Sequence, residues 1–115
     1  MIYENLAKKL IEILRYSIEQ KTFFDQVNNV AKEIKDIDKL GKIVVIFGNG
    51  GSAADSQHFA GELMCTYKNK GRKPYKAIAL TTDTSILTAW SNDFSYDSVF
   101  ERQIEAFDKQ IGLAI

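Results

Sequence analysis

Three groups of residues in this chain have the types and the spacing to do chemistry. The first is the run Gly48-Asn49-Gly50-Gly51-Ser52, which follows four β-branched apolar residues, Ile43 to Ile46. Glycines between a strand and a helix let backbone N–H groups come close to an anion, and the helix N-terminus adds a favourable dipole. Ser52 adds a hydroxyl. The run suits a phosphorylated or polyhydroxylated ligand. Equally, it is a tight turn ending in an N-cap serine, with Asp55 as a weak capping-box partner. It is not a P-loop, because no Gly-Lys-Ser/Thr follows, and it lacks the third glycine of a dinucleotide-binding turn.

The second group is His58 and Glu62, four residues apart on one face of a helix, with Asp55 on the same side. A histidine and a carboxylate at this spacing share a divalent metal such as zinc, or set a general base beside a sugar with the histidine orienting it. The plainer alternative is a solvated helix pair, and two ligands alone are too few for a stable metal site. The third group is Asn92-Asp93, an amide and a carboxylate in what the sequence presents as a loop. Such a pair can hold sugar hydroxyls, or simply make a turn.

The elements that must position these groups follow from periodicity. Tyr3 to about Leu40 is helical, in two stripes that meet near Glu19–Thr22, and Gly41 stands where a helix C′ glycine would. Ile43 to Phe47 is apolar without alternation, which suits a strand buried on both faces of a parallel sheet. A helix then runs to about Tyr67. The basic stretch from Lys68 to Lys73 is a solvated loop, and Tyr75 to Thr82 is a second strand candidate. Thr82 or Asp83 caps a short helix ending near Trp90, Ser91 to Asp97 forms a loop, and Ser98 to Gln110 is helical. Ile111 to Ile115 begins a third strand. Strands alternating with helices make an open parallel α/β sheet, whose ligands bind outside the carboxyl ends of the strands. Cys65 is a small packing residue, and Trp90, Phe94 and Tyr96 pack locally.

Composition narrows the function classes. Fifteen basic and fifteen acidic residues leave a formal net charge of zero, which argues against a nucleic-acid partner. One cysteine excludes an internal disulfide and a cysteine metal cage. No apolar run is long enough to span a bilayer and the N-terminus lacks signal-peptide character, so a cytoplasmic protein without a membrane partner is expected.

Taken together, "GNGGSAADSQHFAGEL", "AIALTTDTSILTAWSND" and "FERQIEAF" resemble, in order and at family-like spacing, the phosphoheptose isomerases, which are SIS (sugar isomerase) domain proteins. The resemblance covers nearly the whole chain. It implies a Rossmann-like three-layer α/β fold: a SIS-type parallel sheet with flanking helices, incomplete here, preceded by two N-terminal helices. Residues 1–40 would be a helical oligomerisation segment and 41–115 the first part of a sugar-phosphate-binding SIS domain. The activity implied is conversion of sedoheptulose 7-phosphate to D-glycero-D-manno-heptose 7-phosphate through an enediol, towards lipopolysaccharide or capsule.

Carried onto matching positions, the resemblance makes Glu62 the catalytic base and a zinc ligand, with His58 the second ligand. Asn49, Gly50, Gly51 and Ser52 would contact the substrate, and Asn92 and Asp93 would hold its hydroxyls. One zinc per site and a homotetramer with shared active sites are implied. The family's second Ser/Thr-rich loop and its later glutamine and histidine, which complete the zinc site, are not in this chain. A fragment, weak in metal binding and catalysis by itself, is therefore expected. Phe100, Ile104, Phe107 and Ile111–Ile115 are expected to lack packing partners. The alternative is a non-enzymatic SIS binding protein resembling the DnaA initiator-associating proteins. Glu62, which that group typically lacks, favours the isomerases.

Overall fold

The computed structural model describes residues 1–115, and its chain divides into two compact units, Met1–Glu33 and Ile34–Ile115. The order of elements is the expected one: α1 (Ile2–Glu19), α2 (Lys21–Lys39), β1 (Ile43–Ile46), α3 (Gly51–Met64), β2 (Ala77–Ala79), α4 (Thr84–Asp93), α5 (Val99–Phe107) and β3 (Ile111–Ala114). Gln20, with extended backbone at φ −84° and ψ 104°, breaks the first two helices apart where the stripes meet. No helix is long and apolar enough to cross a membrane.

In the first unit α1 buries none of its residues, and its stripe of Leu6, Leu10, Ile13, Leu14 and Ile18 is exposed. Phe23, Phe24, Val27 and Val30 of α2 are also exposed, the two phenylalanines meeting edge to face at 5.4 Å.

The second unit holds the core. The end of α2 is closed by Gly41 at φ +68°, with the Gly41 N–H bonded to the Asp38 carbonyl and the Lys42 N–H to the Ile37 carbonyl. That pair of bonds is a Schellman motif, which needs a left-handed residue that glycine supplies without a Cβ clash. It turns the chain straight into β1, whose Val44, Val45 and Ile46 are buried. Ile34, Ile37, Val44, Ile46, Ala60 and Ala77 form one cluster, joined by Leu63, Tyr75, Ala79 and Leu113. Packing is close at Gly112, where an added Cβ would lie 2.6 Å from Ile37 side-chain atoms.

The sheet is parallel with order β2-β1-β3. Its central strand is the one with the unbroken apolar run, because only a strand paired on both edges and covered on both faces has no use for polar side chains. From β1 the chain moves to a strand on one side, then crosses back to a strand on the other. The carboxyl end of β1 is therefore a topological switch point, where such sheets open a ligand crevice.

Four expectations need correction. The helix after the glycine turn stops at Met64, not near Tyr67, because the backbone of Cys65 (φ −81°, ψ −141°) leaves the helix and Tyr67 takes φ +44°. Cys65 is exposed, so it is not a packing residue. Ser91, Asn92 and Asp93 belong to the last turn of α4 rather than to a loop, with the Phe94 N–H bonded to the Trp90 carbonyl. Finally, the last strand and helix are not without partners: β3 pairs with β1, and the Phe100 ring lies 5.0 Å from Phe47.

Candidate functional site

The glycine run leaves the buried end of β1 at the switch point. Gly50, at φ 57° and ψ −123°, stands before a Ser52 N–H bonded to the Asn49 carbonyl at 3.1 Å. This is a type II′ turn, with glycine at the first central position because a Cβ would be strained there. Gly48 is required for a different reason: its Cβ would lie 2.7 Å from the Ser52 Cβ. An atom added at Gly50 or Gly51 would meet nothing within 4 Å, so the space over the turn is open. Ser52 does not cap α3, contrary to expectation. The N-cap position is Gly50, no side chain caps the helix, and Ser52 sits inside its first turn. Its hydroxyl is thereby spared the capping role that the expected arrangement gave it. Beside it, Ser52, Asp55, Ser56 and Phe59 of α3 face Ile46, Phe47 and Ile115 around a cavity of about 230 Å³.

Further along α3, His58 Nε2 and Glu62 Oε1 are 3.2 Å apart. The histidine side chain is 77% exposed and that of Glu62 38%. Glu62 lines a separate cavity of about 430 Å³ with Phe59, Thr66, Tyr67, Lys68, Arg72 and Tyr75. Ten residues separate Ser52 from Glu62, about 15 Å along the helix axis. The structure thus unites His58 with Glu62, and Asn49 with Gly50, Gly51 and Ser52, but holds the two groups apart along one helix. Asn92 and Asp93 pair with each other, Nδ2 donating to Oδ1 at 3.1 Å, and both are exposed.

His58 and Glu62 have the donor chemistry for zinc but not the number. No group of three or more His, Cys, Asp or Glu side chains stands together, whereas a structural or catalytic zinc uses three or four protein ligands. The residues of this chain do not make a zinc site by themselves.

Two site residues escaped the sequence reading. Arg72, assigned to a solvated loop, turns back onto α3. Its guanidinium donates to the Leu63 carbonyl at 2.8 Å and to the Glu62 carbonyl, and lies 5.0 Å over the Tyr75 ring. The Tyr75 N–H also bonds to the Leu63 carbonyl, at 3.1 Å. Carbonyls in the last turn of a helix lack intrahelical partners, and here a charged fork and the amide of Tyr75, just before β2, take them. A basic residue beyond a helix end was the available signal, but its spacing did not announce the return. Tyr96, expected to pack locally, donates its hydroxyl to Asn49 Oδ1 across 47 positions of sequence. No local pattern could have found that contact.

Comparison with known proteins adds three findings. The model of the SIS domain family matches residues 7–111. The chain is 50% identical over 106 residues to the phosphoheptose isomerase of Aquifex aeolicus, covering 88% of this chain and 55% of that protein. It is 44% identical over 107 residues to the phosphoheptose isomerase of Clostridium acetobutylicum, covering 93% and 54%. Among solved structures, phosphoheptose isomerase GmhA from Neisseria gonorrhoeae superposes with a TM-score of 0.76 at 35% identity, over 94% of this chain and 55% of that one. A phosphoheptose isomerase from Francisella tularensis gives 0.69 at 28% identity, over 89% and 56%. The chain thus spans about half the length of the relatives it matches, 54–56% of those named here. With a three-stranded parallel sheet, a glycine turn at its switch point and a family match over residues 7–111, this chain belongs to the SIS domain family.

Proposed function

We propose that the protein is a ketose–aldose isomerase acting on sedoheptulose 7-phosphate, with Glu62 as its base. The observation that carries this reading is Glu62 itself. It is held beside His58 at 3.2 Å on a helix with an open glycine turn at its start, within a region similar to proteins named phosphoheptose isomerase. Glu62 takes a proton from carbon 1 of the ketose, the electron pair moves towards the carbonyl oxygen on carbon 2, the proton of the carbon 1 hydroxyl passes to that oxygen through the enediol, and Glu62 returns its proton to carbon 2, leaving the aldehyde at carbon 1. His58, within hydrogen-bonding distance, orients the carboxylate. Asn49 and Ser52 hold oxygens of the substrate at the glycine turn, and Asn92-Asp93 hold its hydroxyls.

The 15 Å or so between Ser52 and Glu62 along α3 favours a site assembled from more than one copy of the chain. The glycine turn of one copy would then meet Glu62 of another, in a homotetramer. The exposed apolar stripe of α1 is compatible with such an assembly.

The test is Glu62→Gln, which keeps the shape and removes the base. Turnover of sedoheptulose 7-phosphate should fall about 10²- to 10⁴-fold with an unchanged melting temperature. Full turnover by the variant overturns the assignment. A wild-type protein that neither turns over the sugar phosphate nor is stabilised by it returns the chain to the class of SIS binding proteins.

A further inference from the structure

We propose that Tyr96 is a positioning residue for Asn49, fixing which end of the amide faces the ligand. The proposal rests on the functional reading above only for the identity of that ligand.

The phenol hydroxyl of Tyr96 donates to Asn49 Oδ1. An amide has one acceptor end and one donor end. With Oδ1 engaged, the Nδ2 end is left to donate, and a sugar hydroxyl or phosphate oxygen is the acceptor it suits. Asn49 without this contact is free to present either end. It lies at the first position of the II′ turn, where its carbonyl already accepts from Ser52, so the backbone is set and only the side-chain torsions remain to be chosen.

Tyr96 is itself well held. It opens a 3-10 turn, Tyr96–Ser98, in which Ser95 Oγ accepts from the Asp97 N–H at 3.1 Å. Its ring meets Phe100 edge to face at 6.3 Å, and Phe100 lies 5.0 Å from Phe47. Val99, at the start of α5, is fully buried. Phe47 precedes Asn49 by two residues and Phe100 follows Tyr96 by four, so the segment after β1 is joined twice to the stretch from Tyr96 to the first turn of α5. One joint is apolar and sets the distance; the other is polar and sets the amide. Since α4 ends in Asn92-Asp93, the same contact ties the segment that follows this pair to the glycine turn.

The experiment compares Tyr96→Phe, Asn49→Ala and the double variant of the full-length protein. Tyr96→Phe removes one oxygen and keeps the aromatic row. A neutral hydrogen bond is worth about two- to tenfold in binding, so KM for sedoheptulose 7-phosphate should rise about three- to tenfold with kcat within twofold. In the Asn49→Ala background the same change should do nothing further, because the two residues act as a unit. The side-chain amide resonances of Asn49 should shift in Tyr96→Phe with no ligand present. Unchanged amide resonances overturn the proposal, as does an additive double variant. A lower kcat and melting temperature at constant KM overturn it as well, by making Tyr96 merely structural. If the wild-type protein has no isomerase activity, the functional reading fails while the amide resonances still decide the role of Tyr96.

Discussion

At its amino end α3 starts from a glycine turn with no side-chain cap; at its carboxyl end the last carbonyls are closed by the Arg72 fork and the Tyr75 amide. The asymmetry runs against ordinary stability. A glycine N-cap without a side-chain acceptor forgoes a few tenths of a kcal/mol that a serine or aspartate would supply. The chain has such a cap available on another helix: Asp83 accepts from the Ile86 N–H at 3.0 Å and opens α4. The difference teaches where each end is used. The amino end leaves open space over Gly50 and Gly51, between Asn49 and Ser52. The carboxyl end is bolted down around Glu62, in the last turn, and the proposed role of Glu62 as a base would draw on that fixed backbone.

Three substitutions probe this contrast. The largest effect is expected from Arg72→Ala, which strips a charged donor from two carbonyls and an aromatic face. Stability should fall by about 2–3 kcal/mol in urea unfolding, and kcat should fall with it as the turn carrying Glu62 loosens. A loss under about 0.5 kcal/mol would mean water replaces the fork easily, and the closed end would no longer differ from the open one. Next is Gly50→Ala, which places a Cβ on φ 57° and ψ −123°. About 1–3 kcal/mol of backbone strain should appear, together with weakened sugar-phosphate affinity as the turn opens. The smallest effect on stability is expected from Ser52→Ala. A capping serine would cost about 1 kcal/mol, as Asp83→Ala should at α4, but Ser52 caps nothing and its loss should stay within about 0.5 kcal/mol. Its effect should appear in KM. A melting temperature lowered as far by Ser52→Ala as by Asp83→Ala would restore the capping role to Ser52.

Much of the architecture was legible before folding was considered. The order of eight elements followed from periodicity, and the central place of β1 from four consecutive β-branched residues. Gly41 announced the end of α2 because few other residues tolerate that conformation. The errors cluster at helix ends. Ser52 looked like a cap because serine before an apolar run usually is one; the II′ turn moved the cap position back to Gly50. Asn92-Asp93 looked like a loop because both residues favour turns, yet α4 continues through them to Phe94. Helix boundaries are set by where the terminal N–H and C=O groups find partners, and those partners need not be near in sequence.

The sequence by itself determined which side chains can do chemistry and in which element each sits: a glycine turn after a buried strand, and a histidine four residues before a glutamate. These are short-range facts, dictated by backbone sterics and by helical period. Only the tertiary structure decided that Arg72 folds back to hold the end carrying Glu62, and that Tyr96 reaches Asn49. Each of those is a contact made by a side chain whose partner is chosen by the packing of sheet and helices, not by its neighbours in the chain.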